Sequence, residues 1–307
     1  RLMAAVRRTP IPRARILSID VSAAAAIEGV AAVMTAADIP GQQKWGHLKR
    51  DWPAMIGEGE ETRYIGDALA IVAARTKKIA QEAVRSIRLE YEELSPLLSP
   101  QESLADTAPK LHPDGNVLSR VAFARGDANQ AIETAAHVVT RSYHTPFTEH
   151  AFLEPESALA VPGSDGKLTV YVGSQSVFDD HHGIAAILGL PGEQVRVIGK
   201  LVGGAFGGKE DLSVQHHAAL LAHKTGHPVK LTLSRKESMR VHPKRHSMEI
   251  ELTTGCDADG RLVGMRARIV ADTGAYASLG GPVVQRACIL VSGPYQIPNV
   301  EINGRAV

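Results

Sequence analysis

The sequence is organised around residues 203–211, GGAFGGKED, in which four glycines occupy six consecutive positions. Residues 194–199 before this loop alternate in polarity and predict a strand, and residues 212–222 after it predict a helix that ends near Gly226. Glycines let a backbone approach a ligand closely, and a helix start adds unpaired N–H groups. The pattern therefore predicts a cradle for an oxyanion, a phosphate or a metal oxo group.

Two alternatives remain open at this loop. Gly203, Gly208 and Lys209 fit most of a Walker A pattern, but Glu210 stands where that pattern needs a Ser or Thr to hold Mg²⁺. A carboxylate at this position would repel nucleotide phosphates, which disfavours a nucleoside triphosphatase. The other alternative is a tight turn without any ligand. Other segments of the chain are needed to choose between these interpretations.

The composition is that of an ordinary globular protein with room for two domains. The chain has 307 residues, of which 44% are hydrophobic and 22% charged, with a net charge of +1. It lacks the basic field of a nucleic-acid binder and an apolar run long enough to span a bilayer. The two cysteines, Cys256 and Cys288, lie far apart without a CxxC spacing, which excludes an iron–sulfur cluster within this chain. We expect a reduced, cytoplasmic protein whose one-electron relay, if it has one, sits on a partner.

The order of elements predicts an α+β protein. Residues 1–97 alternate short strands and helices and show little obvious chemistry. Residues 98–116 are polar and contain several prolines, which predicts a linker. Residues 117–307 form the second domain, which carries the glycine loop and a predicted hairpin of residues 248–253 with 262–271.

Polar residues of the second domain are candidates for a site. Gln175 follows a predicted strand, where its amide could donate to a ligand oxygen. Glu149, His150 and Glu154 lie close together without an HExxH pattern, so we expect them to line a cavity rather than to bind a metal. Arg286 lies in an apolar context and would need an anionic or carbonyl-rich partner.

Taken in order along the chain, these segments resemble the molybdenum hydroxylases. The segments are Glu149-His150 with Glu154-Pro155, Gln175, residues 203–210, residues 272–276 and residues 285–287. The sequence resembles the molybdopterin-binding large subunit of xanthine dehydrogenases, including bacterial forms described as selenium-dependent. The resemblance covers essentially the whole chain. It implies that residues 1–97 form a small a/b-hammerhead-like domain, followed by the first part of a mixed α/β molybdopterin-binding domain.

The resemblance implies a cofactor and the residues that face it. The cofactor is molybdopterin, with a terminal sulfur or selenium on the molybdenum, and the family oxidises an electron-poor carbon with water-derived oxygen. Gln175 and the backbone of Gly204, Ala205, Phe206 and Gly207 would face this cofactor. Ala205 stands where the family more often has a third glycine, which is a small change.

The resemblance also implies the substrate class. Glu210 and Arg286 match the pair that grips a purine in xanthine-oxidising relatives, and Phe206 would contact the same substrate. Relatives that oxidise aldehydes tend to lack this pair. We therefore expect a xanthine- or hypoxanthine-like purine, or a related N-heterocycle, and a role in purine catabolism. An aldehyde-oxidising relative is the alternative.

Part of the enzyme is expected outside this chain. The chain starts at Arg1 rather than Met and stops at Val307 inside an alternating apolar stretch, which favours a fragment. The family's general base is a Glu expected beyond Val307, so no catalytic residue and no direct protein ligand to the metal is predicted here. We expect the fragment alone neither to hold the cofactor tightly nor to turn over.

The resemblance further implies partners. It implies [2Fe–2S] and FAD modules on partner subunits or domains, in a cytoplasmic oligomer of heteromers that binds neither nucleic acid nor membrane. A non-catalytic half of a split enzyme, which carries or assembles the cofactor, is the alternative function.

Overall fold

The computed structural model describes residues 1–307, which form a mixed architecture of strands and helices, as predicted. The sixteen strands are β1 (Leu2–Arg8), β2 (Ala14–Asp20), β3 (Val30–Thr35), β4 (Lys44–Trp45), β5 (Trp52–Pro53), β6 (Ala68–Ala74), β7 (Arg88–Glu93), β8 (Ser119–Arg125), β9 (His137–Thr145), β10 (Ser157–Pro162), β11 (Leu168–Val172), β12 (Val195–Gly199), β13 (Val229–Thr232), β14 (Ser247–Cys256), β15 (Leu262–Asp272) and β16 (Asn299–Ala306). The eight α-helices are α1 (Ser22–Ala25), α2 (Lys77–Ser86), α3 (Pro100–Leu104), α4 (Ala128–Glu133), α5 (Val177–Leu188), α6 (Gln215–Thr225), α7 (Arg235–Val241) and α8 (Gly280–Leu290).

The chain divides into two compact units, each built from two separate stretches. The first unit contains residues 1–96 and 149–244, and the second contains residues 97–148 and 245–307. The compact units combine stretches that are distant along the chain. The domain boundaries expected from the sequence, at residues 97 and 117, therefore stay predictions.

A seven-stranded mixed sheet forms the centre of the first unit, in the order β12-β11-β10-β13-β1-β6-β3. Strand β6 is buried along its whole length, in keeping with its apolar sequence ALAIVAA. Ile71 packs into a core that includes residues of α5 and α6, whereas Val72 packs into a core with residues of α1, α2 and β2. Because neighbouring residues of a strand point to opposite faces, both faces of this sheet are covered.

The segment around the glycine loop confirms the predicted strand and corrects the predicted helix start. Strand β12 pairs in parallel with β11. Helix α6 begins at Gln215 rather than at Leu212. Gln215 Oε1 accepts hydrogen bonds from the amides of Ser213 and Val214, both at 2.9 Å, so these amides are satisfied outside the helix. The loop therefore does not run directly into the helix, and the unpaired N–H groups of α6 start beyond it.

Residues 40–53 contain only the short strands β4 and β5 and are held against helix α5 within the first unit. The amides of Gly41 and Gln42 donate to the carbonyls of Ile187 and Ala186, at 3.0 and 2.8 Å. In this segment the short strands β4 and β5 stack the rings of Trp45 and Trp52 at 5.1 Å between centroids. The segment therefore has a defined position on α5.

A five-stranded sheet forms the second unit, in the order β8-β16-β15-β14-β9. The predicted hairpin is confirmed, since β14 pairs antiparallel with β15. Helix α8 was not predicted, because its first residues, Gly280 to Pro282, are typical of a loop. A proline at this position is tolerated because the first amides of a helix have no intrahelical partner.

No helix of the chain combines the length and apolar character needed to cross a bilayer.

Candidate functional site

The side chain of Gln175, just beyond β11, is oriented by the glycine loop. Its Oε1 accepts hydrogen bonds from the amides of Gly207 and Lys209, at 3.0 and 3.3 Å. Its own backbone amide donates to the carbonyl of Lys209 at 3.0 Å. Since both loop partners are donors, the side-chain oxygen must face the loop and the amino group faces away from it. This exposed side chain is left with N–H bonds that can donate to a ligand.

The loop holds a non-glycine residue in the left-handed region of backbone space. Phe206 has φ of 53° and lies between Gly204 and Gly207, with φ of 89° and 92°. The Gly208 amide donates to the Ala205 carbonyl at 2.8 Å and closes the turn. Such a conformation costs about 1 kcal/mol or more and persists only where the surroundings fix it. It presents the Phe206 ring 64% exposed at the tip of the loop.

A half-buried ion pair fixes the two ends of the loop. Glu154 Oε2 accepts from the Gly203 amide at 2.8 Å and lies 3.0 Å from Lys209 Nζ. The Lys209 side chain is only 2% exposed, and its ammonium lies 4.7 Å from the centre of the Phe152 ring. A Cβ at position 203 would come within 2.6 Å of Glu154 Cβ, so this close approach requires a glycine. Because Lys209 is buried against Glu154, it is not presented to a phosphate, which argues against a Walker A loop.

The groups of the loop that were predicted to face the cofactor differ in whether they can still bind a ligand. Ala205 is buried, and the Gly207 amide is already bonded to Gln175. The Phe206 amide has no hydrogen-bond acceptor in the protein. The Gly204 amide has no acceptor either, so the groups of this loop that can reach a ligand include the Gln175 amino group, the Gly204 and Phe206 amides and the Phe206 ring.

Glu149 and His150 belong to a network beneath the loop. His242 Nε2 lies 2.8 Å from Glu149 Oε1, and His242 Nδ1 lies 3.0 Å from Glu156 Oε1. Lys244 Nζ lies 3.0 Å from Glu149 Oε2. Candidate ligand atoms of Glu149, His150 and His242 lie within 4.8 Å of one another, but Lys244 and His242 already satisfy the Glu149 carboxylate. The contacts of this network therefore favour a structural role, in which it supports the segment that carries Glu154, over metal binding.

Acid pH should weaken this network. Burial favours a higher pKa of Glu149, but the Ala151 amide, Lys244 and His242 lower it to about 2. A lowered carboxylate pKa stabilises the fold above the ordinary value of 4.5, and this contribution is lost as pH falls towards 2. We expect Glu149→Gln to lower the free energy of unfolding by about 1–2 kcal/mol at neutral pH, allowing for solvent screening, and by much less at about pH 2. Urea unfolding at several pH values measures this, with exposed Glu82→Gln as control; a loss that does not change with pH would contradict it.

Glu210 lines a cavity of ≈ 350 Å³ in the first unit. The lining is mostly polar and comes from the segment around β4, from α5 and from the end of the glycine loop. Its charged or titratable members are Lys44, His47, Arg50, Asp179, Asp180, His182 and Glu210. A cavity of this size can hold a mono- or bicyclic heteroaromatic ring.

His47 connects three elements around this cavity. Its Nδ1 lies 3.2 Å from Asp179 Oδ2 on α5, and its Nε2 lies 3.2 Å from Asp211 Oδ1, next to Glu210. The hydrogen bond to Asp211 is the main cause of a raised His47 pKa, which burial partly opposes. Asp180, buried beside Asp179, has a pKa raised by desolvation to about 7. A protonated His47 can therefore donate to both partner carboxylates and hold the wall of the cavity to the Glu210 segment.

The His47 contacts predict a pH-dependent stability. A raised histidine pKa contributes stability that is complete below the ordinary value of 6.5 and is lost as pH rises through the raised value. We expect His47→Gln to lower the free energy of unfolding by about 1–2 kcal/mol at about pH 6 and by less at about pH 9. Thermal or urea unfolding of the full-length protein tests this, with exposed His227→Gln as control. An equal loss at both pH values would contradict the role of the charged imidazole.

Arg286 belongs to the second unit, on helix α8. Its side chain is exposed, so the expectation of an apolar environment was wrong. Within α8 the buried positions are instead Gly280, Val284 and Cys288, at helical spacing. Arg286 therefore lies on the exposed face of the helix, beside the exposed side chains of Ile289 and Leu290, and does not need a buried counter-ion for stability.

Comparison with known families identifies both parts of the chain. Residues 111–307 match the family described as molybdopterin cofactor-binding domain. The chain belongs to this family. Residues 1–95 match the a/b hammerhead domain of aldehyde oxidase and xanthine dehydrogenase. The predicted fold, a hammerhead domain followed by a mixed α/β molybdopterin-binding domain, is thus confirmed.

Relatives of this molybdopterin-binding chain have several functions. It is 41% identical over 302 residues to a probable xanthine dehydrogenase subunit of Bacillus subtilis, covering 98% of this chain and 40% of that protein. It is 40% identical over 306 residues to the nicotinate dehydrogenase large molybdopterin subunit of Eubacterium barkeri, covering 100% of this chain and 72% of that protein. The aldehyde oxidoreductase structure from Desulfovibrio gigas matches with a TM-score of 0.95 at 27% identity, over 100% of this chain and 35% of that one. The chain thus spans less than half of two of these three proteins.

Sequence reasoning missed some residues of the molybdopterin-binding chain that shape the candidate site. His47 is 132 positions from Asp179, and Lys209 is 55 positions from Glu154. No local pattern signals such pairs.

Proposed function

We propose that this chain forms the substrate-facing part of a molybdenum-dependent hydroxylase that oxidises a purine or a related N-heterocycle. The observation that carries the proposal is the Gln175 side chain, whose oxygen is held by the Gly207 and Lys209 amides. A donor fixed in this way stabilises negative charge on a ligand without further reorganisation. Such a donor beside a glycine loop suits the electronegative ligands of a molybdenum centre.

The residues of the first unit fit molybdopterin at this loop. Gln175 offers free N–H bonds, and the Phe206 amide has no acceptor in the protein. We propose that Gln175 and the backbone of residues 204–207 hold the cofactor, with Ala205 and Gly207 contributing the shape of the loop. When bound, molybdopterin with a terminal sulfur or selenium supplies the two-electron redox chemistry and the water-derived oxygen.

Other residues are proposed to bind the substrate. The Glu210 carboxylate, partly exposed at its cavity, would accept a hydrogen bond from a ring N–H and share its proton. The exposed Phe206 ring would pack against the heterocycle. Arg286, exposed on α8 of the second unit, would stabilise negative charge on a ring carbonyl.

The complete enzyme is proposed to contain further parts. A general-base Glu and much of the pterin site would lie outside residues 1–307, so the chain alone would neither hold the cofactor tightly nor turn over. [2Fe–2S] and FAD modules on partner subunits or domains would accept the electrons, in a cytoplasmic heteromeric oligomer. A cofactor-carrying half of a split enzyme remains the alternative.

A second substrate has direct support from the relatives. The Eubacterium barkeri relative is a nicotinate dehydrogenase subunit that matches this chain as well as the xanthine dehydrogenase subunit does. Nicotinate is also an N-heterocycle, but its ring nitrogen has a lone pair in place of an N–H bond, so Glu210 would bind it through a shared proton. An aldehyde substrate is suggested by the Desulfovibrio gigas structure, but an aldehyde has no ring nitrogen for Glu210 to bind.

The test uses the natively purified full-length enzyme with its subunits. We expect molybdenum and iron by elemental analysis, with selenium distinguishing the two terminal ligands. We expect oxidation of hypoxanthine, xanthine or nicotinate, and little oxidation of benzaldehyde. Turnover of the aldehyde alone would reject the N-heterocycle assignment, and an intact preparation without molybdenum would reject the proposed function.

A further inference from the structure

The cavity beside Glu210 has two cations on the wall formed by residues 42–50. Lys44 and Arg50 both line the cavity, and both side chains are exposed. Arg50 Nη1 donates to the neutral amide of Gln42 at 2.9 Å. Neither cation is paired with a carboxylate of this chain. Their charges are therefore available to a ligand in the cavity.

The aspartates that line the same cavity have hydrogen-bond partners within the protein. Asp179 lies 3.2 Å from His47, which also contacts Asp211. Asp180 is 1% exposed and accepts a hydrogen bond from Gln215 Nε2 at 3.2 Å. Glu210 is the carboxylate of this cavity that makes no hydrogen bond or ion pair within the protein. The cavity thus has a cationic wall together with one carboxylate.

The cationic wall has a fixed position. The amides of Gly41 and Gln42 are bonded to the carbonyls of Ile187 and Ala186 near the end of α5. His47 attaches the segment to Asp179 near the start of the same helix. Lys44 lies in β4 next to Trp45, whose ring stacks on Trp52. The backbone that carries the two cations is therefore anchored on both sides, which reduces the entropy lost when they meet an anion.

We propose that Lys44 and Arg50 are specificity-determining residues that favour an N-heterocycle bearing a carboxylate over its neutral analogue. Glu210 binds the ring nitrogen, while the cationic wall attracts the anionic substituent. The inference rests on the proposed function in taking the Glu210 cavity as the substrate site. It goes further by naming the substrate charge and the residues that select it.

The test compares two probes of the same shape, pyridine-3-carboxylate and pyridine-3-carboxamide, with the full-length holoenzyme and its subunits. Binding is measured by calorimetry and turnover by kcat/KM. For the carboxylate, we expect Lys44→Gln and Arg50→Gln each to raise Kd and lower kcat/KM by about three- to tenfold, as for a partly exposed ion pair. For the carboxamide, both values should change by less than about twofold. Added salt should reduce the preference of the wild type, because it screens exposed charges.

Lys49→Gln is the matched control, since Lys49 belongs to the same segment but does not line the cavity. It should leave the preference unchanged. Equal losses for both probes, no loss for either, or failure of the carboxylate to bind would each overturn the inference. A charge preference in binding without turnover would keep the inference and reject the proposed function. Turnover of both probes without a preference would keep the proposed function and reject the inference.

Discussion

Replacing Glu210 with glutamine is expected to lower kcat/KM for an N-heterocyclic substrate by about 100- to 1000-fold in the full-length enzyme. Glutamine keeps the size of the side chain but cannot share a proton with a ring nitrogen. Glu210 lines its cavity and makes no hydrogen bond or ion pair within the protein, so the loss concerns substrate rather than folding. Steady-state kinetics with the preferred heterocycle measures the effect.

The Glu210 experiment needs controls for cofactor and fold. Molybdenum content should stay at the wild-type value, because Glu210 makes no contact that holds Gln175 in place. Glu193→Gln is a matched exposed variant away from the cavity and should keep full activity. Unchanged heterocycle oxidation by the Glu210 variant would leave the family assignment intact and refute the substrate role.

Replacing Glu154 with glutamine is expected to destabilise the protein by about 2–3 kcal/mol and to reduce molybdenum content. Glutamine can still accept a hydrogen bond from the Gly203 amide, so the change isolates the charge. It leaves the ammonium of Lys209, with a side chain only 2% exposed, without its counter-ion. The Glu154 side chain is 42% exposed, which keeps the expected loss below that of a fully buried pair. Denaturant unfolding and metal analysis of the full-length protein measure both effects.

A double variant distinguishes this charge effect from a loss of packing. In Glu154→Gln with Lys209→Met, the buried charge is absent, so at least half of the stability lost in the single variant should return. Methionine also keeps the contact with the Phe152 ring. A double variant that is less stable than Glu154→Gln would show that the ion pair is not what fixes the loop.

Local sequence patterns predicted the elements that depend on neighbours along the chain. The alternation of residues 194–199 predicted β12, and the turn before Gly260 predicted the hairpin of β14 and β15. In the structure Gly260 has φ of 81°. Asp127 directly precedes α4, where an Asp is a preferred capping residue, and its side chain accepts from the Gln130 amide. In each case a short-range hydrogen bond or a side-chain period decides the structure.

The features that the sequence did not reveal depend on distant partners. The start of α6 was placed too early because an apolar run does not show that the Gln215 side chain bonds to the two preceding amides. The pairing of β1 with β13 joins Leu2 to Val229, and no pattern near either residue predicts it. For the same reason, the ion pair of Glu154 with Lys209 and the His47 contacts required the fold.

The central claim is that Gln175, fixed by the glycine loop, faces molybdenum. The most direct measurement is a crystal structure of the natively purified full-length enzyme, with anomalous differences collected at the molybdenum edge. We predict a molybdenum peak on the side of the loop to which the Gln175 amino group points, with the side-chain oxygen still bonded to the Gly207 and Lys209 amides. A molybdenum peak away from residues 203–209, or a Gln175 side chain turned from it, would contradict the account.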